Sequence, residues 1–581
     1  SLVDAEFAGT SDLCLPGSLD PAKVAGKIVL CRRGGNGRVD KSFTVFNAGG
    51  KGMILYNVSD EDNLFTDNFW VPTVHLDFTE GEQVKNYIAT SRRPRAQIKT
   101  EKPTTIDYAP SMTIFSSRGP NPTAADIIKP DITAPGLQVM AGASPFTDAG
   151  FVPGELFQAI AGTSMSSPVI AGVYALLKQA HPDWSAAMAK SAIMGTANTD
   201  VRDNDRVSQA GPFAMGSGMV KPGKVARPGS AFNPGLVYDA GFFEYLGFLC
   251  DEAPEVFGNP VGTCGSLAGA GIPTTAQNLN YPSIGIAELA GVETITRTVT
   301  SVASETVTFA VGVNAPEGFD VSVDPASITL APGASASYEV TITNVSAPLG
   351  EWRFGDLTWN GSGYHVRSPI AVKGVQLSAP AEVTGEGPAG TISFDIKFGY
   401  TGAYTAAPHG LVPATSSPGI VFQDPDQTPF TADDGGGLVL IEFDVSATAV
   451  ARWTLSIPGP DDIDLYLLNG AGELVAQSTN GGTDEQIELR LPADDTYTMA
   501  VHGWAIGDDA GLAFSLQSWM VPLATGGSLT VDSAPAAAVS GVTAPIVISW
   551  TGLTPGISYL GSVSHSDDVG MIAQTVVAID A

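Results

Sequence analysis

Gly162-Thr163-Ser164-Met165-Ser166-Ser167-Pro168 runs directly into Val169-Ile170-Ala171-Gly172-Val173-Tyr174-Ala175-Leu176-Leu177. The junction reads as a serine at the mouth of a helix. Gly162 permits close backbone approach, and Pro168 is expected in the first turn, where a missing N–H costs nothing. Unpaired N–H groups at that end favour developing negative charge. A serine so placed is poised for acyl transfer. The residues that follow leave no polar face, so the helix is expected to need burial on every side. This apolar run is about half of what spans a bilayer, so no membrane anchor is expected.

Further motifs lie on both sides. Lys178-Gln179-Ala180-His181-Pro182-Asp183-Trp184 and Lys190-Ser191-Ala192-Ile193-Met194 follow the serine. Phe115-Ser116-Ser117-Arg118-Gly119-Pro120-Asn121 and Lys129-Pro130-Asp131-Ile132-Thr133-Ala134-Pro135-Gly136 precede it. Asn233-Pro234-Gly235-Leu236-Val237-Tyr238-Asp239, Leu279-Asn280-Tyr281-Pro282-Ser283-Ile284 and Arg297-Thr298-Val299-Thr300 come later. In this order the segments resemble the subtilase family of serine proteases, whose nucleophile motif reads Gly-Thr-Ser-Met-x-x-Pro, and specifically its plant-type branch. The resemblance implies a serine endopeptidase acting on protein or peptide substrates, with Ser164 as the nucleophile that forms an acyl-enzyme. Arg118, Asp131 and Thr163 are expected to serve the scaffold around that turn. Met219 and Val169 stand where the family commonly has histidines, but neither is a triad position.

No segment resembles the aspartate motif or the His-Gly-Thr motif that complete the triad. Of the six histidines, His75 lies in a strand-like run and His181 closes the helix after the nucleophile. His365, His409, His502 and His565 lie far downstream. All six read as ordinary surface or strand histidines. Subtilase order is Asp, His, Ser, so both partners are expected upstream of residue 1, together with the oxyanion-hole asparagine. Serine alone is a weak nucleophile, and losing the histidine from such a triad costs on the order of a million-fold in turnover. At about 1.4 kcal/mol per decade that is roughly 8 kcal/mol. The chain is therefore expected to be the C-terminal part of a longer subtilase. It should be nearly inactive without a missing N-terminal catalytic segment that carries Asp and His.

Composition agrees with a secreted, extracellular protein. Among 581 residues, 29 Lys+Arg face 60 Asp+Glu, a formal charge of −31. That balance disfavours nucleic acid and anionic membrane surfaces. Several domains are expected, because single cores seldom exceed about 250–300 residues. Residues 1–105 alternate short β-rich runs with Gly-rich turns and resemble a protease-associated domain, which implies a role in substrate access or homodimer contacts. Residues 106–277 hold the C-terminal part of an α/β subtilisin-like catalytic domain. Residues 278–376 alternate apolar and polar side chains, as an antiparallel sandwich does, and resemble a fibronectin type III-like domain. Residues 377–581 stay β-rich. Their Asp461-Asp462-Ile463-Asp464-Leu465-Tyr466 and Tyr497-Thr498-Met499-Ala500-Val501-His502 runs resemble the prepeptidase C-terminal domain of secreted bacterial proteases. The fold class is multidomain: an α/β catalytic remnant, a β-rich protease-associated domain and C-terminal antiparallel β-sandwiches.

Four cysteines fall into two close pairs, Cys14 with Cys31 and Cys250 with Cys264. They read either as two local disulfides or as isolated buried thiols. No Cys/His spacing suits zinc, and Gly34-Gly35-Asn36-Gly37 lacks the Gly-Lys-Ser/Thr of a phosphate loop. No cofactor is expected. The acidic run at Asp461 could hold calcium, although it has no specific calcium motif. An alternative from another class is a non-catalytic secreted binding or regulatory module in which Ser164 is a relic.

Overall fold

The computed structural model describes residues 1–99, 110–144, 154, 156–225, 227–431, 435–508 and 510–581. They form two compact units: residues 1–287, 294–342 and 352–373 in one, and 288–293, 343–351 and 374–581 in the other.

The first unit begins with strands β1 (Leu2–Asp4), β2 (Ile28–Arg32), β3 (Gly52–Tyr56) and β4 (Thr73–Leu76), which pair in that order, all parallel. Parallel neighbours need crossovers. Helices Arg38–Asn47 and Phe78–Thr90, which the strand-and-turn reading of this region did not include, lie between or after these strands. β3 is buried along its whole length, and the Cys14–Cys31 disulfide lies in the same core. The Gly34–Gly37 loop closes over Lys41. This lysine is fully buried, and its Nζ donates to the carbonyls of Leu13 and Gly34 and to Asn36 Oδ1 at 2.5–2.7 Å.

Next comes the α/β segment. Strands β5 (Val139–Gly142) and β6 (Phe157–Ile160) form a hairpin pair. Beyond β6 are helices Thr163–Ala180 and Ala186–Gly195. Helices Phe242–Glu252 and Pro260–Gly269 are tied by the Cys250–Cys264 disulfide. Pro168 is not in the first turn. The helix starts at Thr163, so the proline is its sixth residue and cannot donate to the Ser164 carbonyl.

The unit ends in a sandwich whose two sheets run from Leu236–Val237 to Tyr364–Gly374. Strands Val292–Ser301 and Ser335–Asn344 alternate buried and open positions as the sequence pattern requires. Tyr238 of the α/β segment is buried here. Its hydroxyl lies 2.7 Å from that of Tyr338 and 2.9 Å from Ser368 Oγ.

The second unit contains two sandwiches, one nested in the other, antiparallel except where Glu382–Glu386 pairs in parallel with Met571–Asp580. Residues 415–522 build one pair of four-stranded sheets, and this segment is inserted between residues 413 and 529 of the other pair. The two pack through Val450, Trp519, Leu560 and Val576. Arg452 pairs with its cross-strand neighbour Glu488 and crosses the junction to Glu382.

Candidate active site

The mouth of the Thr163–Ala180 helix is built by two crossing segments. Gly162 is extended, and its N–H donates to Gly136 O at 2.9 Å, while Ser166 Oγ donates to Ala134 O at 2.9 Å. A Cβ on Gly136 would lie 2.3 Å from Ser166 Oγ and 2.9 Å from Gly162 O, so only glycine fits this crossing. Ser164 is the second helical residue and is exposed. Its backbone N–H belongs to the first turn, whose N–H groups have no partner within the helix. The placement suits a hydroxyl nucleophile beside a donor for a developing oxyanion.

Behind this crossing, Asp131 anchors the Ala134–Gly136 segment. It accepts from Lys129 Nζ at 2.9 and 3.0 Å, from Lys190 Nζ at 3.4 Å and from Tyr281 hydroxyl at 2.6 Å. Burial opposes its ionisation, but Lys190, Lys129 and the Tyr281 hydrogen bond outweigh that and hold its carboxyl below the usual range. Burial and the neighbouring carboxylate keep the Tyr281 phenol protonated. Asp131 is thus a scaffold group. Arg118 instead pairs with Asp203 at 2.6 Å and with Asn204, away from the helix mouth.

The helix is not covered as its composition demands. Val173 and Leu177 are buried against Ala189, Ile193 and Phe232, whereas Leu176 is 53% exposed. Thr163, Ser166, Ser167, Ile170 and Tyr174 share one helical stripe, which faces a cleft of about 1230 Å³. Met140 and Phe157 on the β5–β6 hairpin are 74% and 63% exposed.

None of the six histidines is hydrogen-bonded to Ser164; each is committed elsewhere. His75 bonds Asn57 and Phe65, and His181 caps its helix and bonds Phe232 O at 2.8 Å. His365 bonds Asn360, His409 bonds Ser564, and His565 bonds Tyr404 and Thr575. His502 lies between Asp424 and Asp464 at 2.8 and 3.4 Å. His409, His502 and His565 are buried strand residues.

The acidic run diverges. Asp461 accepts from Gly507 N, Asp462 from Gly482 N, and Asp464 turns toward His502 and Tyr466. Among the described residues, no group of three or more His, Cys, Asp and Glu is arranged to hold a metal ion. Among the described residues, no helix is long and apolar enough to cross a membrane.

Three family models match the chain: a PA domain over residues 1–84, the subtilase family over 79–218 and a fibronectin type-III domain over 278–372. Residues 79–218, which carry Ser164, are thus similar to the subtilase family. Similar proteins include subtilisin-like protease SBT5.4 of Arabidopsis thaliana, 38% identical over 385 residues, which are 62% of this chain and 47% of that protein. Subtilisin-like protease SBT5.3 of the same plant is 39% identical over 377 residues, 62% of this chain and 48% of that protein. The chain spans about half the length of the curated relatives it matches. The matched residues include the helix mouth at Ser164 and the Asp131 cluster that supports it.

Proposed function

We propose that this chain is the nucleophile-bearing part of a secreted subtilase-type serine endopeptidase, with Ser164 as the residue that forms the acyl-enzyme. One observation carries the reading: Ser164 stands exposed at the helix mouth beside an open cleft along the Thr163–Tyr174 stripe. That cleft is where a complementary segment bringing the Asp and His of the triad would pack. Its histidine would take the Ser164 proton, and the Ser164 N–H would be one oxyanion donor. Without that base, about six orders of magnitude in turnover are missing. The chain alone is therefore a scaffold for catalysis rather than a working peptidase. The serine chemistry itself calls for no cofactor.

A fluorophosphonate probe tests this. The isolated chain should label poorly. Joined to, or mixed with, an upstream subtilase segment carrying the Asp and His-Gly-Thr motifs, it should label at Ser164 and lose the label in Ser164→Ala. Absence of labelling in the restored protein would leave the non-catalytic binding module as the better account.

A further inference from the structure

Two sets of hydrogen bonds joined by the loop of residues 63–68 link the interior of the first domain to the strand that precedes Ser164, and the inner set centres on an imidazole. Asn57 is fully buried. Its Nδ2 donates to the carbonyls of Asp62 and Asn63 at 3.4 Å each and to Asp77 Oδ1 at 3.2 Å. These acceptors fix the orientation of the amide, so its Oδ1 must accept from Arg33 Nη1 at 3.3 Å and from His75 Nε2 at 2.8 Å. The other ring nitrogen, Nδ1, accepts the N–H of Phe65 at 3.0 Å. The ring is therefore neutral, in one tautomer, with both nitrogens satisfied.

Phe65 lies between the two residues that reach out of the domain. Asn63 Oδ1 accepts from Ile114 N at 3.2 Å, and Asn63 lines the cleft beside Thr163 and Ser166. Asn68 Nδ2 donates to Phe157 O at 3.1 Å, on the strand that leads to Ser164. The loop is braced by Arg38, which pairs with Asp67 at 2.6 Å and lies 3.8 Å over the Phe65 ring. The charged groups around the imidazole are Arg33 after β2, Arg38 on the following helix, Asp62 and Asp67 on the loop, and Asp77 before the Phe78–Thr90 helix. Arg206 of the α/β segment lies 3.9 Å from Asp77. A proton on Nδ1 would meet the Phe65 N–H head-on and add a third cation beside Arg33 and Arg38.

We propose that His75 is a proton-sensitive latch, which when neutral clamps residues 63–68 onto the strand and segment flanking Ser164 and when protonated releases them. Burial, then Arg33 and Arg38, push this imidazole down to about 4. A depressed histidine favours the closed form fully above the open-form value near 6.5 and loses that preference as pH falls toward 4. In naming Ser164 the nucleophile, the latch rests on the peptidase reading. Its test uses no substrate, so either can fail without the other.

Amide hydrogen exchange by mass spectrometry on the full chain, corrected for intrinsic rates, reads the clamp. Between pH 7 and pH 5, opening of residues 63–68 and of Phe157–Ile160 should rise about twentyfold by linkage, while the Ala186–Gly195 helix stays unchanged. His75→Asn keeps an acceptor near the Nδ1 position but cannot titrate, and should abolish the rise. Asn68→Ala should leave the rise at 63–68 and remove it from Phe157–Ile160. Equal exchange of Phe157–Ile160 at both pH values in the wild type overturns the latch. So does the same pH response in His75→Asn.

Discussion

Acid should loosen the outer C-terminal sandwich through one buried histidine. His565 is fully buried, with Nδ1 2.7 Å from Tyr404 hydroxyl and Nε2 3.0 Å from Thr575 Oγ1. No carboxylate is hydrogen-bonded to either nitrogen, and burial pushes the imidazole down from 6.5 to about 4. Above pH 6.5 the folded and unfolded forms bind the same number of protons at this site. Between 6.5 and 4 the unfolded form binds one more, so stability falls as pH falls through that window. At about 1.4 kcal/mol per pH unit, the full loss is roughly 3 kcal/mol, or about two orders of magnitude in the opening constant. Amide exchange over Ser558–Ser566, corrected for intrinsic rates, measures that opening. His565→Gln should cost about 1 kcal/mol at pH 7 through a lost hydrogen bond and should flatten the profile between pH 7 and 4. If wild type and variant lose protection in parallel, the buried neutral imidazole is not the cause and the reasoning fails.

Three other perturbations have defined outcomes. Arg452→Met leaves Glu382 without its partner across the junction of the nested sandwiches, while Glu488 keeps Arg490 at 2.9 Å; losing a charged hydrogen bond of this kind costs about 2 kcal/mol, and calorimetry should show the C-terminal transition at lower temperature, with Arg452→Lys failing to restore it. Replacing Cys250 and Cys264 by serine opens a loop with a sequence separation of 14; the loss of chain constraint is worth about 3 kcal/mol and should appear as faster proteolysis between Phe242 and Gly269, with the Cys14–Cys31 domain unaffected. Ala171→Asp alters an exposed side chain that lines the cleft, so thermal stability of the chain should change by less than about 1 kcal/mol; the same change should abolish fluorophosphonate labelling after an upstream segment is added, and unimpaired labelling would show that the segment packs elsewhere.

Much of the site was legible because its chemistry is local. The Gly162–Pro168 stretch places a serine where a helix begins, and the structure puts Ser164 at the second helical position. The alternation of residues 292–301 and 335–344 announces a strand with one buried face, and those faces are buried. Cysteine pairs 17 and 14 residues apart close on themselves. Pro168 was misplaced because the first turn was expected to start at the proline, whereas Gly136 packs against Gly162 and lets the helix begin five residues earlier. The helices of the first domain escaped a strand-and-turn reading because their buried faces are not apolar stripes: Arg38–Asn47 buries Lys41, Ser42 and Thr44 beside Val45, and Phe78–Thr90 buries only Gly81 and Ile88.

Sequence alone thus singled out Ser164 at a helix start, the lack of a recognisable triad partner and the sandwich character of the second half. Each of these depends on neighbours within one turn, one strand or one motif. Only the tertiary structure decided that Asp131 is held by Lys190 and Tyr281, that one C-terminal sandwich is nested in the other, that His75 is held between Asn57 and Phe65, and that Asn68 bonds Phe157 on the strand before Ser164. Those partners lie tens to more than a hundred residues apart. Periodicity reports that a face is buried, but only the folded chain shows against which partner.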